Sequence, residues 1–392
     1  MIAPARRAAF EVVRRTFDDD AYTDRALTAA TSTLDARDRA LAQRLSFGTV
    51  QRVRVLDFGI ERLGKRPVRK LDAPVKASLR LGAYQLAFTE LPQHAIVDDA
   101  VELVRVAGRE RAVPFTNAVM RRLAHGLRGL VASLPDGPVR ESYPDWIADV
   151  WTRDFGADTA LELMHAQNEP PALEVRAATA VGVPTDVPGA YVVEHVDPTA
   201  MRPMSRASQL AALVVGAREG ERVLDACAAP GGKSSILAET AEVTAVEVHP
   251  GRADALAKQR LPRVEVVNAD VRELDADGFD RALVDAPCSG LGVLARRPDL
   301  RWRAQPLPEL QQELLAAAAA RVKPGGSVVY AVCTLNADEN EAVVDASGLD
   351  IEPLGGDWPQ YAHPSRPEFL LTLPHRDRTS GFFIARLRRA AA

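Results

Sequence analysis

The chain has 392 residues, 47% of them hydrophobic and 26% charged, a globular composition long enough for more than one domain. No apolar run reaches the length of a membrane span, no signal-peptide core follows Met1, and the three cysteines have neither disulfide-framework nor zinc-site spacing, so a cytoplasmic protein without metal is expected. The net charge of −4 hides an asymmetry: residues 1–140 hold 24 Lys+Arg against 16 Asp+Glu, a balance of +8, which leaves −12 on the rest and marks the N-terminal part as a nucleic-acid-binding candidate.

Residues 1–131 read as helices throughout. Helical periodicity runs over 8–17, 38–55 and 75–88, and Phe115, Val119, Leu123 and Leu127 recur four apart as one apolar stripe. Within this all-α domain, Arg62, Lys65, Arg66, Arg69 and Lys70 surround Gly64 and Pro67, a basic loop suited to phosphate contacts. A Pro/Gly-rich stretch over 132–145 predicts a linker. Residues 146–204, with a helical stretch over 146–165 and then turn-rich sequence, predict a small α/β RNA-binding insertion.

From 205 to 392 strands and helices alternate. Strands are predicted at 222–226, 243–248, 264–268, 282–285, 327–333 and 382–387, with the clearest helix at 308–322. This spacing specifies βαβ units in a mainly parallel, doubly wound Rossmann-like sheet, whose ligands bind beyond the carboxyl ends of its strands.

The first strand leads into Asp225-Ala226-Cys227-Ala228-Ala229-Pro230-Gly231-Gly232-Lys233. The glycines allow backbone to approach a ligand closely, and the following helix N-terminus favours an anionic group such as a carboxylate. Glu247 ends the second strand, where an acid meets ribose hydroxyls, and Asp270 ends the third, where one can meet a purine edge. The dinucleotide fingerprint is absent, and Cys227 stands where a P-loop needs its first glycine. Acids around the crevice suit S-adenosylmethionine, which has a cationic sulfonium and no phosphate. Cys227 itself reads as a small buried hydrophobe.

Two further motifs carry thiols. Asp285-Ala286-Pro287-Cys288-Ser289-Gly290 follows the fourth strand, and Tyr330-Ala331-Val332-Cys333-Thr334 ends the fifth. Adjacent strands bring both sulfurs to one point near the methyl donor. That pairing suits transfer to C5 of a pyrimidine: a thiolate adds at C6, C5 becomes enamine-like and takes the methyl group, and loss of the C5 proton expels the thiol. Asp285 is placed to meet the N3/N4 edge of the base.

These three motifs resemble the RNA cytosine-5 methyltransferase family. The resemblance implies Cys333 as nucleophile, Cys288 as the thiol assisting product release, and a donor site at Cys227, Ala228, Ala229, Pro230, Gly231, Gly232, Lys233, Glu247, Asp270 and Asp285. Residues 91–103 and 115–122 resemble the NusB-type helical RNA-binding domain, and the pairing of the two domains implies small-subunit (16S) ribosomal RNA as substrate. Val332, Met204-Ser205-Arg206 and Ser380 depart from the family pattern. A catalytically inactive RNA-binding or antitermination-type factor, or a nucleotide hydrolase built on Gly232-Lys233-Ser234, are the alternative readings. Oligomeric state is left open by the sequence, with a monomer favoured.

Overall fold

The computed structural model describes residues 2–391. The chain divides into two compact units: the chain up to Asn168 together with Leu294–Arg303, and Glu169–Val293 together with the chain from Ala304 onward.

The first unit is helical. Its larger helices are Pro4–Asp18, Ala36–Gln51, Val53–Gly64, Ala73–Phe88, Gln93–Val106 and Val113–Ala132. Prolines sit in the first turn of three of them, where a missing N–H costs nothing. Asp35 caps another, accepting from the Asp38 N–H at 2.8 Å. The helix Ala73–Phe88 is the centre of the unit: eleven of its residues, including Leu79, Leu81 and Leu86, are buried. The predicted stripe Val119, Leu123 and Leu127 lies in the same core, with Phe115 packed at its edge.

Three expectations for this region change. The 38–55 helix is two helices, parted at Arg52. The basic segment is only partly loop: Arg62 closes the helix Val53–Gly64, Lys65 takes a left-handed conformation at its end, and Val68–Lys70 form a 3-10 turn. The helical unit also runs beyond the stretch expected to be a linker. Pro138–Glu141 is helical, and Tyr143 and Trp151 are fully buried with ring centroids 5.4 Å apart. The Tyr143 hydroxyl donates to the Met164 carbonyl at 3.1 Å, so aromatic burial outweighs the Pro/Gly content there. The helices Asp145–Phe155 and Ala157–Ala166 therefore belong with the helical unit, and the expected insertion over 146–204 is divided after Asn168.

The second unit opens with a four-stranded antiparallel sheet made of Glu174–Arg176, Val183–Pro184, Ala190–Val192 and Arg202–Pro203. The main sheet comprises β1 (Arg222–Asp225), β2 (Glu242–Val246), β3 (Val264–Val267), β4 (Phe279–Asp285), β5 (Val322–Val332), β6 (Asp350–Glu352), β7 (Leu370–Thr372) and β8 (Phe382–Arg388). Its order is β6-β8-β5-β4-β1-β2-β3, with β7 paired to β8. The five strands β1 to β5 are parallel, and β8 returns antiparallel beside β5. Val223, Leu224, Leu283, Val284 and Val328–Val332 are buried, as expected of central strands covered on both faces. The fold class expected from the sequence, a helical domain followed by a Rossmann-like one, is the fold observed.

Candidate active site

Strand order decides where the chemistry-bearing residues meet. The order reverses at β1, whose neighbours are β2 and β4, and β5 lies beside β4. Asp225 at the end of β1 is in register with Leu283 of β4, and Asp285 at the end of β4 is in register with Ala331 of β5. The three motif loops thus leave one edge of the sheet side by side.

In the first loop, Gly231 has φ +94°, and a Cβ there would stand 2.2 Å from Leu256 Cδ1, so glycine is required twice over. The helix Gly232–Leu237 follows. Its polar side chains turn back to the strands: Ser234 Oγ donates to Asp225 Oδ2 at 2.7 Å, and Lys233 Nζ donates to Asp285 Oδ2 at 2.6 Å while lying 5.3 Å from the Phe382 ring centroid. Lys233 opens this helix as expected, and its side chain is the ion-pair partner of Asp285. This engagement also removes the cation that a nucleotide hydrolase would need at its phosphates. Burial pushes the Asp225 carboxyl up to about 6, against the Ser234 hydrogen bond and reinforced by the Asp285 charge.

Cys227 is half-buried in this loop. Burial, then the charges of Asp285, Asp225 and Glu247, raise its thiol. It is a neutral thiol facing carboxylates, which disqualifies it as a nucleophile.

The outer acids are partly engaged. Glu247, buried just beyond β2, accepts from the His249 N–H at 2.8 Å and pairs with Arg252 at 2.8 Å. Asp270 receives the Arg272 guanidinium on both oxygens and caps the turn Val271–Glu273. Arg272 is shared with Glu313, so contact between Asp270 and a purine edge requires Arg272 to share it. Carboxylates at the ends of four successive strands, with Lys233 already committed to one of them, suit a ligand with hydroxyls and a positive centre. S-adenosylmethionine has both.

The thiols lie together. Cys288 Sγ and Cys333 Sγ are 3.5 Å apart although 45 residues separate them. Cys333 is lowered from the usual thiol range, first by the hydrogen bond it shares with Cys288, with Lys233 helping and burial and Asp285 opposing. Cys288 is raised well above that range, first by the same bond, then by burial. Either sulfur can donate to the other, so the two thiols titrate as a pair.

Sequence reasoning missed Glu339. It is fully buried and joins the two cysteine loops. Its neighbours Asp338 and Asn340 are polar, so the sequence reads as a solvated turn and gives no sign of burial.

Residues 212–388 match the family model described as 16S rRNA methyltransferase RsmB/F, and residues 3–125 match the NusB family. A putative methyltransferase of Mycobacterium tuberculosis is 37% identical over 98% of this chain and 96% of its own length. A probable ribosomal RNA small subunit methyltransferase B of Synechocystis sp. is 31% identical over 98% and 99%. The crystal structure of PH0851 superposes with a TM-score of 0.82 at 20% identity, covering 99% of both chains, a likeness of fold. By these matches the chain belongs to the 16S rRNA methyltransferase RsmB/F family, with a NusB-family domain ahead of its methyltransferase domain.

Proposed function

We propose that this S-adenosylmethionine-dependent rRNA methyltransferase acts on C5 of a cytosine in small-subunit ribosomal RNA, through a covalent bond between Cys333 and C6. The observation that carries the reading is the thiol pair: Cys333 Sγ lies 3.5 Å from Cys288 Sγ, on loops that leave the same sheet edge as the carboxylates, and the Cys333 thiol is lowered. Methylation of a nitrogen or oxygen would have no use for it.

When bound, S-adenosylmethionine supplies the electrophilic methyl group. The Asp225–Gly231 loop and Glu247 hold the methyl donor. The target cytosine leaves its stack to enter. Cys333 adds through its sulfur to C6, and the C5=C6 electron pair becomes available at C5 for the methyl group. Asp285, oriented by Lys233, meets the N3/N4 edge. Loss of the C5 proton to a base re-forms the double bond, and the C6–S bond breaks with its electrons returning to Cys333. Cys288 receives the departing thiolate with a hydrogen bond, which is how it assists release. The basic segment Arg62, Lys65, Arg66, Arg69 and Lys70 gives the helical domain backbone-directed affinity for RNA.

The test is methyl incorporation followed by bisulfite mapping of small-subunit ribosomal RNA. The native protein is expected to yield 5-methylcytosine and Cys333→Ala none. Equal yield from Cys333→Ala would refute the covalent route, and a methylated nucleoside other than 5-methylcytosine would refute the target atom.

A further inference from the structure

Glu339 lies in the loop between β5 and the helix Glu341–Ala346 and is fully buried. Its Oε1 accepts from the Ser289 N–H at 2.9 Å, the Gln311 Nε2 at 3.0 Å and the Leu307 N–H at 3.1 Å. Its Oε2 accepts from the Ser289 hydroxyl, from Asn336 Nδ2 at 3.3 Å and from Thr334 Oγ1 at 3.4 Å. These donors are neutral groups. A charged carboxylate buried without a cation is tolerated only when many dipoles converge on it.

Two of those donors decide what the convergence does. Ser289 follows Cys288, and Thr334 follows Cys333. Their hydroxyls also meet each other at 2.7 Å. Gln311, on the same carboxylate, donates to the carbonyl of Pro287, the residue before Cys288. The Gly292 N–H donates to the Cys333 carbonyl at 3.0 Å, and the Tyr330 hydroxyl of β5 donates to the Glu339 carbonyl at 2.7 Å. The two thiol-bearing loops, distant in sequence, are thus tied to a single anion.

We propose that Glu339 is a positioning residue for methyl transfer: its carboxylate fixes the Cys288 and Cys333 loops against each other, so that the attacking sulfur and its hydrogen-bond partner face the same base. The inference rests on the reading of Cys333 and Cys288 as the reacting pair. An acceptor-only group is needed, because each oxygen faces N–H and O–H donors. Glutamine has the same shape but turns an NH2 against some of them. The negative charge also helps hold the proton on Cys288, whose thiol it raises.

The test uses full-length Glu339→Gln, with folding followed by circular dichroism and methyl-donor-site integrity by S-adenosylhomocysteine affinity. Two rates are then compared with the native protein: single-turnover methylation, and diamide-driven formation of a Cys288–Cys333 disulfide mapped by mass spectrometry. Disulfide formation needs the sulfurs to close to about 2.05 Å, so its rate reports their juxtaposition without any methylation. The expected result is S-adenosylhomocysteine affinity within about twofold, with both rates at least about tenfold lower and KM for RNA little changed. Native rates in a folded variant overturn the proposal, as does a fall in only one of the two. If the variant does not fold, Thr334→Val, which removes one donor from Oε2, is expected to lower both rates several-fold, and unchanged rates overturn the proposal. A native protein that makes no 5-methylcytosine removes the reading of the pair and this role with it, whereas a failure confined to Glu339→Gln leaves that reading standing.

Discussion

Lys233 Nζ meets Asp285 Oδ2 at 2.6 Å, joining the loop after β1 to the end of β4 beside the thiol pair. The two charges act on Cys333 with opposite sign: Lys233 favours its thiolate, and Asp285 opposes it. Lys233→Met is therefore expected to move the thiolate-dependent limb of the kcat/KM profile to higher pH, and Asp285→Asn to move it lower. At neutral pH both variants are expected to fall at least about tenfold in kcat, because one loses the carboxylate that meets the base and the other loses the cation that orients it. Limbs moving the same way would contradict the electrostatic account.

Cys288→Ala removes the hydrogen bond that most lowers the Cys333 thiol. The expected result is an upward shift of the same pH limb, together with accumulation of a protein–RNA adduct stable to denaturing electrophoresis. Adduct formation slows and release slows further, so trapped complex grows with time. A variant that turns over without accumulating adduct would assign release to another group.

Asp225 predicts a dependence of stability on pH. Its folded-state value of about 6 lies above the ordinary 3.8, so the folded chain binds the extra proton between those values. Its contribution to stability is present below about pH 4 and is lost as pH rises through 6. Asp225→Asn, which keeps an oxygen for Ser234, removes that loss. Without methyl donor, urea titrations are expected to show the variant gaining on the native protein by about 1–3 kcal/mol from pH 4 to 7, with no difference near pH 3.5.

The basic segment predicts a salt effect. Replacing Lys65, Arg69 and Lys70 with alanine is expected to weaken ribosomal RNA binding and reduce the slope of log K against log salt by roughly 0.7–0.9 for each phosphate that the variant no longer neutralises. S-adenosylhomocysteine affinity should not change. An unchanged salt slope would assign RNA affinity to another surface.

Arg301 is fully buried in the helical unit, where it donates to the Gln51 carbonyl at 3.1 Å, Asn168 Oδ1 at 2.8 Å and the Gln167 carbonyl at 2.8 Å, and stands 3.9 Å above the Tyr143 ring. Burial pushes its guanidinium down to about 10, which leaves it charged at neutral pH. Arg301→Met abandons three acceptors and a cation–π interaction, and thermal or urea unfolding is expected to show a destabilisation of roughly 2–4 kcal/mol.

What could be read from the sequence was whatever depends on local order. The strands at 222–226 and 264–268 and the loop at Cys227–Lys233 follow from β-branched runs and paired glycines, and sheet topology then carries Cys288 to Cys333. What could not be read depends on partners chosen across the fold. Lys233 opens its helix as read, but its ion pair could not be read because Asp285 lies 52 residues away. Glu339 looked exposed because its donors come from Ser289, Leu307 and Gln311. Tyr143 sat in a stretch whose prolines outweighed its single ring.

The segment Leu294–Arg303 begins six residues after Cys288, yet it belongs with the helices. Trp302 Nε1 donates to the Val50 carbonyl at 2.7 Å, and the Leu294 N–H donates to Gln167 Oε1 at 2.9 Å. No single scission of the polypeptide can therefore liberate either half intact. A fragment ending at Asn168 would lack ten residues that complete it, and one starting at Glu169 would carry those ten, tryptophan and buried arginine included, with nowhere to put them.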